Sequence, residues 1–137
     1  MKIFFDSSAL AKRYIDEKGS DEVERLCKEA DNLCVSIICL PEIISALNRL
    51  RREKKLNKNQ NNSIKNAIVE DLEDADLYTL TPQTINYSVR LLEKYKLRAM
   101  DSLHIACALV ARPNLFVSSD QRQLAAAQKA GLKILQV

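Results

Sequence analysis

Lys2-Ile3-Phe4-Phe5-Asp6-Ser7-Ser8-Ala9-Leu10 is the stretch from which the rest of the chain is read. A short β-prone apolar run stops at an acid and two serines, residues suited to capping the helix that Ala9 to Tyr14 continue. This is a strand running directly into a helix, and the same junction recurs downstream. After a turn at Gly19-Ser20, Val23, Leu26, Cys27 and Ala30 fall at helical spacing among charged residues, and Leu33 to Ile37 then read as a buried strand. Pro41 suits the first turn of the next helix, where its missing N–H costs nothing, and Ile43, Ile44, Leu47 and Leu50 supply the apolar stripe.

Further along, Asn57 to Asn62 opens a helix carried by Ile64, Ala67, Ile68 and Leu72, which the acidic run Glu70 to Asp76 is expected to end. Leu77 to Leu80 resembles a strand, Pro82 starts a helix with Ile85, Val89 and Leu92 on one face, and Asp101 to Ala111 forms another. Leu115 to Val117 is strand-like, Gln121 to Ala130 is an alanine-rich helix closed by Gly131, and Leu132 to Gln136 is a terminal strand. Strands alternating with amphipathic helices imply parallel β-α-β units, so the expected fold class is α/β, a three-layer α/β/α sandwich with a mainly parallel central sheet. Near-continuous apolar strands such as Ile3-Phe4-Phe5 fit a sheet covered on both faces.

A length of 137 residues with 47% hydrophobic side chains supports one compact core, and residues 1–137 are expected to form a single domain. With only two glycines, Gly19 and Gly131, no glycine-rich phosphate loop or dinucleotide fingerprint can be written. Cys27, Cys34, Cys39 and Cys107 have no C-x-x-C spacing and one histidine beside them, which argues against zinc or a disulfide framework. Apolar runs fall far short of the about 20 residues that span a bilayer, and Asp6 interrupts the N-terminus too early for a signal peptide, so a cytoplasmic protein without membrane association is expected.

Four acids occupy related addresses. Asp6 follows the first strand, Glu42 lies just after the second, Asp101 begins the helix after Met100, and Asp120 follows the Leu115 to Val117 strand. In open α/β sheets ligands bind beyond the carboxyl ends of the strands, the edge to which the fold would carry these side chains. Singly, each acid reads as a helix cap, worth about 0.3–1 kcal/mol against the dipole. Caps alone do not account for the choice of acids, because Ser7, Ser8, Ser118 and Ser119 stand beside Asp6 and Asp120 and could cap instead. Converging carboxylates repel unless a cation neutralises them, and oxygen-only ligands favour Mg²⁺ or Mn²⁺. Such a site suits phosphodiester hydrolysis without a protein nucleophile. The basic segment Arg49, Arg51, Arg52, Lys54, Lys55 and Lys58 extends the helix that starts near Glu42. Seven residues make almost two helical turns, so Arg49 lies on nearly the face of Glu42 and, with Arg52 or Lys55, could hold backbone phosphates; the alternative is a solvated helix face.

These residues resemble the PIN-domain ribonucleases, in particular the VapC-like toxins of bacterial and archaeal toxin–antitoxin pairs. The resemblance spans the chain and rests on Phe5-Asp6-Ser7-Ser8-Ala9-Leu10, Pro41-Glu42-Ile43, Arg98-Ala99-Met100-Asp101-Ser102-Leu103-His104-Ile105-Ala106 and Val117-Ser118-Ser119-Asp120. It implies a Rossmann-like PIN fold, an endoribonuclease dependent on Mg²⁺ or Mn²⁺, a homodimer, and a cognate antitoxin as protein partner. Asp6, Glu42, Asp101 and Asp120 would then be the catalytic and metal-holding acids, with Arg49, Arg52 and Ser118 facing an RNA substrate. Ser118 stands where the family often has Thr, a conservative change that leaves it able to orient Asp120 or a water, and Gln121-Arg122-Gln123 lacks the further acid that some members carry. His104, three residues after Asp101, is expected to pack or hydrogen-bond rather than transfer a proton.

Two other classes stay open on the residues alone. A noncatalytic RNA- or protein-binding module of this fold, or an RNA-processing member that is not a toxin, would use the same framework. Phosphotransfer on Asp6 is disfavoured because Ser8, and not a second acid, follows two residues later.

Overall fold

In the computed structural model, which describes residues 1–137, Lys2–Phe5 forms the central strand β1 of a five-stranded sheet. The chain continues through α1 (Ser7–Ala11), α2 (Ser20–Glu29), β2 (Asn32–Ser36), α3 (Cys39–Arg52), α4 (Lys58–Glu73) and β3 (Asp76–Tyr78). It then runs through α5 (Pro82–Lys94), α6 (Ala99–Ala111), β4 (Leu115–Ser118), α7 (Gln121–Lys129) and β5 (Ile134–Gln136). All four strand pairings are parallel, in the order β3-β2-β1-β4-β5. The expected parallel α/β/α sandwich is therefore the observed one.

Strand periodicity splits the core into two layers. Ile3 and Phe5 point to one face, where they pack with Val35 and Val117 against Leu10, Leu26, Ile43, Leu47 and Ile68 from α1 to α4. Phe4 points to the other face and joins Cys34 and Phe116 beneath Leu91, Ile105 and Leu124 from α5 to α7. Every residue of Ile3–Phe5 is fully buried, which explains why this strand shows no polar alternation. Three thiols, Cys34, Cys39 and Cys107, are buried in these layers and all four cysteines are free.

Local chemistry sets the element ends. Asn57 and Gln60 form a reciprocal capping box at α4, Thr81 caps α5 ahead of Pro82, and Gly131 takes φ 103° just past α7. Several expected boundaries move. The first helix occupies Ser7–Ala11 because Asp6 caps it directly, instead of Ala9 to Tyr14. The helix expected near Glu42 already begins at Cys39, after the Ser36 hydroxyl accepts the Ile38 N–H at 3.3 Å. It stops at Arg52, and Lys54 at φ 59° turns the chain, so Lys55 and Lys58 do not extend it. The acidic run is absorbed by α4 up to Glu73, and Asp76 opens β3. No helix is long and apolar enough to cross a membrane.

From β1 the chain winds outward through β2 and β3, then returns to the opposite side of β1 for β4 and β5. The crevice between the carboxyl ends of β1 and β4 is thus the topological switch point, where sheets of this kind hold their ligands.

Candidate active site

Asp6 and Asp120 flank that crevice. Asp6 is the first residue after β1, and its N–H donates to the Val117 carbonyl at 3.1 Å, which carries the β1–β4 pairing into the turn. Its side chain is almost wholly buried. One carboxylate oxygen, Oδ1, accepts from the Ala9 N–H at 2.8 Å and the Ser8 hydroxyl at 2.7 Å, and Oδ2 accepts from the Ser118 hydroxyl at 2.6 Å. Burial pushes the Asp6 carboxyl up, and these three bonds oppose the rise without cancelling it. Ser118 Oγ also accepts the Asp120 N–H at 2.9 Å, and Ser8 Oγ accepts the Ser119 N–H at 3.1 Å. Two serines therefore clamp the turn after β1 to the turn after β4. Ser118, expected to face substrate or to orient Asp120 or a water, is fully buried, so it does not face substrate, and its hydroxyl holds Asp6 and the Asp120 N–H from beneath.

Glu42 enters from the first turn of α3, six residues beyond β2 and not directly after it. The Ser7 hydroxyl donates to Glu42 Oε1 at 2.7 Å, and His104 Nε2 from α6 bonds the same oxygen. Ser7 Oγ lies 3.1 Å from that nitrogen, closing a three-membered group from α1, α3 and α6. Burial pushes the Glu42 carboxyl up, but the bond to His104, its charge and the Ser7 hydroxyl hold it below the ordinary carboxylate range. His104 is 2% exposed and its Nδ1 has no hydrogen-bond partner, as fits a ring placed to grip Glu42 through its other nitrogen.

Asp101 lies in the first turn of α6 and Asp120 caps α7, with Asp120 Oδ1 accepting the N–H groups of Arg122 at 2.9 Å and Gln123 at 3.3 Å. The two acids line one cleft of about 160 Å³ with Lys96, Arg98 and Arg122. Burial raises the Asp101 carboxyl, the nearby charges of Asp120 and Glu42 raise it further, and Arg98 pulls it back. Beneath the pair, buried Gln123 donates through Nε2 to the Asp101 carbonyl at 3.1 Å. Gln123 carries no role in the sequence pattern; its position three residues after a capping acid is the one signal, and its partner lies on another helix.

On the other side, Glu42 and Arg49 share a groove of about 380 Å³ with Ser7, Ser8 and Ser119. Arg49 reaches this groove, as its spacing from Glu42 implies, whereas exposed Arg52 is not in its wall. The four acids therefore face one end of the sheet from α1, α3, α6 and α7. No three His, Cys, Asp or Glu groups stand together as a ready-made ion cage. What stands there is an all-oxygen set in which Asp101 is strained by two like charges, and Mg²⁺ is commonly bound through one or two carboxylates with water completing its shell. The donor chemistry fits such a cation.

A model of the family described as PIN domain matches residues 3–129. The chain belongs to the PIN-domain family. Solved structures superpose over nearly the whole chain. VapC20 of Mycobacterium tuberculosis, a Sarcin-Ricin loop cleaving toxin, aligns with a TM-score of 0.73 at 15% identity, covering 98% of this chain and 99% of that one. FitAcB from Neisseria gonorrhoeae gives 0.72 at 12% identity, with 98% and 96% covered. VapBC2 from Rickettsia felis, bound to a DNA fragment from its promoter, gives 0.70 at 13% identity, with 100% and 99% covered. At these identities the likeness is one of fold. No curated protein matches the sequence.

Proposed function

We propose that this PIN domain is an endoribonuclease dependent on Mg²⁺ or Mn²⁺ and the toxin of a toxin–antitoxin pair. The observation that carries the reading is the arrival of four acids from the starts of four helices at one sheet edge, with Asp101 raised by burial first and by the charges of Asp120 and Glu42 after it. Asp6, Glu42, Asp101 and Asp120 would hold the ion. Bound there, it would supply activation of the attacking water and stabilisation of charge on the scissile phosphate. Ser8, Ser118 and the Ala9 N–H fix Asp6, His104 and Ser7 fix Glu42, and Gln123 steadies the start of α6 beneath Asp101. Arg49 supplies a cation for the substrate backbone on the Glu42 side. An antitoxin protein as inhibitor belongs to the same reading, supported by fold likeness to VapBC proteins, and a second copy of the chain as partner is carried only by the family resemblance.

The test is cleavage of a mixed RNA pool by purified protein with Mg²⁺ or Mn²⁺, alongside EDTA and the Asp101→Asn variant. Metal-dependent cutting reduced at least about a hundredfold in the variant supports the reading; equal cutting by a folded, nuclease-free variant refutes Asp101's role. A second reading, a noncatalytic RNA-binding module, draws on the fact that Asp6 and Asp120 both cap helices. It requires salt-sensitive RNA binding without metal-dependent turnover.

A further inference from the structure

Beyond the Asp101–Asp120 cleft, where two acids share the walls with Lys96, Arg98 and Arg122, the surface carries cations without acids. A second depression of about 310 Å³ adjoins it, sharing Lys96 and Arg122 as walls. Its other walls include Lys94 at the end of α5, Tyr95 just after it, and Lys129 on α7. Arg122, Ala125, Ala126 and Lys129 fall at positions i, i+3, i+4 and i+7, so α7 presents one face to this depression, with cations at both ends and small alanines between them. The alanines leave the floor open. No acid lines the depression, and none of Lys94, Lys96, Arg98, Arg122 or Lys129 forms a salt bridge. Unpaired like charges repel one another, an arrangement that a polyanion relieves. Tyr95 is half-buried, with the Lys129 ammonium 6.0 Å from its ring centroid.

We infer that this channel, running from Lys129 past Tyr95 and Lys96 to Arg122 and Arg98, is a track for single-stranded RNA that feeds the strand toward Asp101 and Asp120. Cations following a groove, with an aromatic ring beside them, are what single-strand binding requires: the charges hold phosphates and the ring offers a stacking face to any base. A duplex would need a broader surface to reach its grooves, whereas a narrow groove with a ring at its edge suits a splayed strand. Lys129 can leave the Tyr95 ring for a phosphate, which exposes that ring to a base. An acidic peptide could use the same charges but gains nothing from the ring. The inference takes the identity of the polymer from the ribonuclease reading, yet its test does not depend on cleavage.

The experiment measures binding of a fluorescein-labelled single-stranded oligoribonucleotide of mixed sequence by anisotropy in EDTA across a salt series. The Lys94→Glu/Lys129→Glu double variant changes two exposed residues, and its fold is checked by circular dichroism. It is expected to weaken binding at least about tenfold and to lower the salt slope by about 1.4, at about 0.7 for each lost phosphate contact on a single strand. Tyr95→Leu is expected to weaken binding about tenfold while Tyr95→Phe retains it, a difference that tracks stacking. Wild-type affinity and salt slope in the double variant would overturn the track. So would tighter binding of an oligoglutamate peptide than of the RNA, which would assign the channel to an acidic protein. Loss of binding in the variants of a chain that cuts no RNA would leave the track standing and fail the nuclease reading alone. Normal binding in the variants of a chain that does cut would fail the track alone.

Discussion

At Asp6 one carboxylate caps a helix, ties two strand ends together and contributes to the acidic edge. Burial raises its pKa, so the fold disfavours the charged form of this carboxyl. An acid raised above its unfolded value, here 3.8, stabilises the fold fully below that value, and the contribution is lost as pH rises through the folded value. Asp6→Asn keeps an acceptor for Ala9 and Ser8 and reverses the third bond, its amide N–H donating to Ser118 Oγ while the Ser118 hydroxyl turns to Gln123 Oε1, 3.5 Å away. It is therefore expected to raise Tm at pH 7 by about 2–6 °C, with the gain shrinking toward pH 3, while RNA cleavage is abolished. Thermal scans at both pH values check this, and a Tm lowered at pH 7 would contradict it. Glu42 behaves with the opposite sign, since its lowered carboxyl adds stability above the ordinary value of 4.5 that is lost on acidification. All four acids were legible as residues, because each stands at a helix start, and three of those helices follow a strand. Gln123 and the grip of His104 on Glu42 were not, since each needs a partner more than twenty residues away.

At the scale of elements, the helices and strands were readable from apolar period and caps, and their ends were displaced wherever a side chain made an unforeseen bond. α3 shows both sides. Its stripe of Ile43 and Leu47 packs into the core as the spacing requires, and the same spacing puts Arg49 in the groove of Glu42. Its end falls short of the basic segment because Lys54 takes a left-handed conformation that the basic composition does not signal. Ending at Arg52 gives α3 three arginines in its last turn, where cations complement the helix dipole, so Arg51 and Arg52 have a structural role without RNA. Arg49 alone of the three shares the groove. Arg49→Ala is expected to raise the KM for RNA about two- to tenfold at low salt with kcat little changed, and the difference should fade as salt screens it. Equal KM values at low salt, or a loss confined to kcat, would remove Arg49 from substrate binding.

For the whole molecule, the parallel sandwich followed from alternation of strands and helices, but the strand order did not. Nothing local in Leu115–Ser118 says that it pairs with β1, and only that pairing sets Asp120 across the crevice from Asp6. Once β4 lies beside β1, the two turns lock through Ser8 and Ser118, and α3 and α6 bring Glu42 and Asp101 over the same edge. The fold thus gathers acids at one edge where Arg98 offsets only part of the rise at Asp101, which is the physical case for a divalent cation. The most direct measurement is a titration with Mn²⁺ at neutral pH, free ion being followed by its paramagnetic resonance signal, without any RNA. The account predicts saturable binding by the wild-type chain that falls at least about tenfold in Asp101→Asn and in Asp120→Asn and is unchanged in Asp74→Asn, an acid at the far end of α4. Equal binding by all four proteins would contradict it.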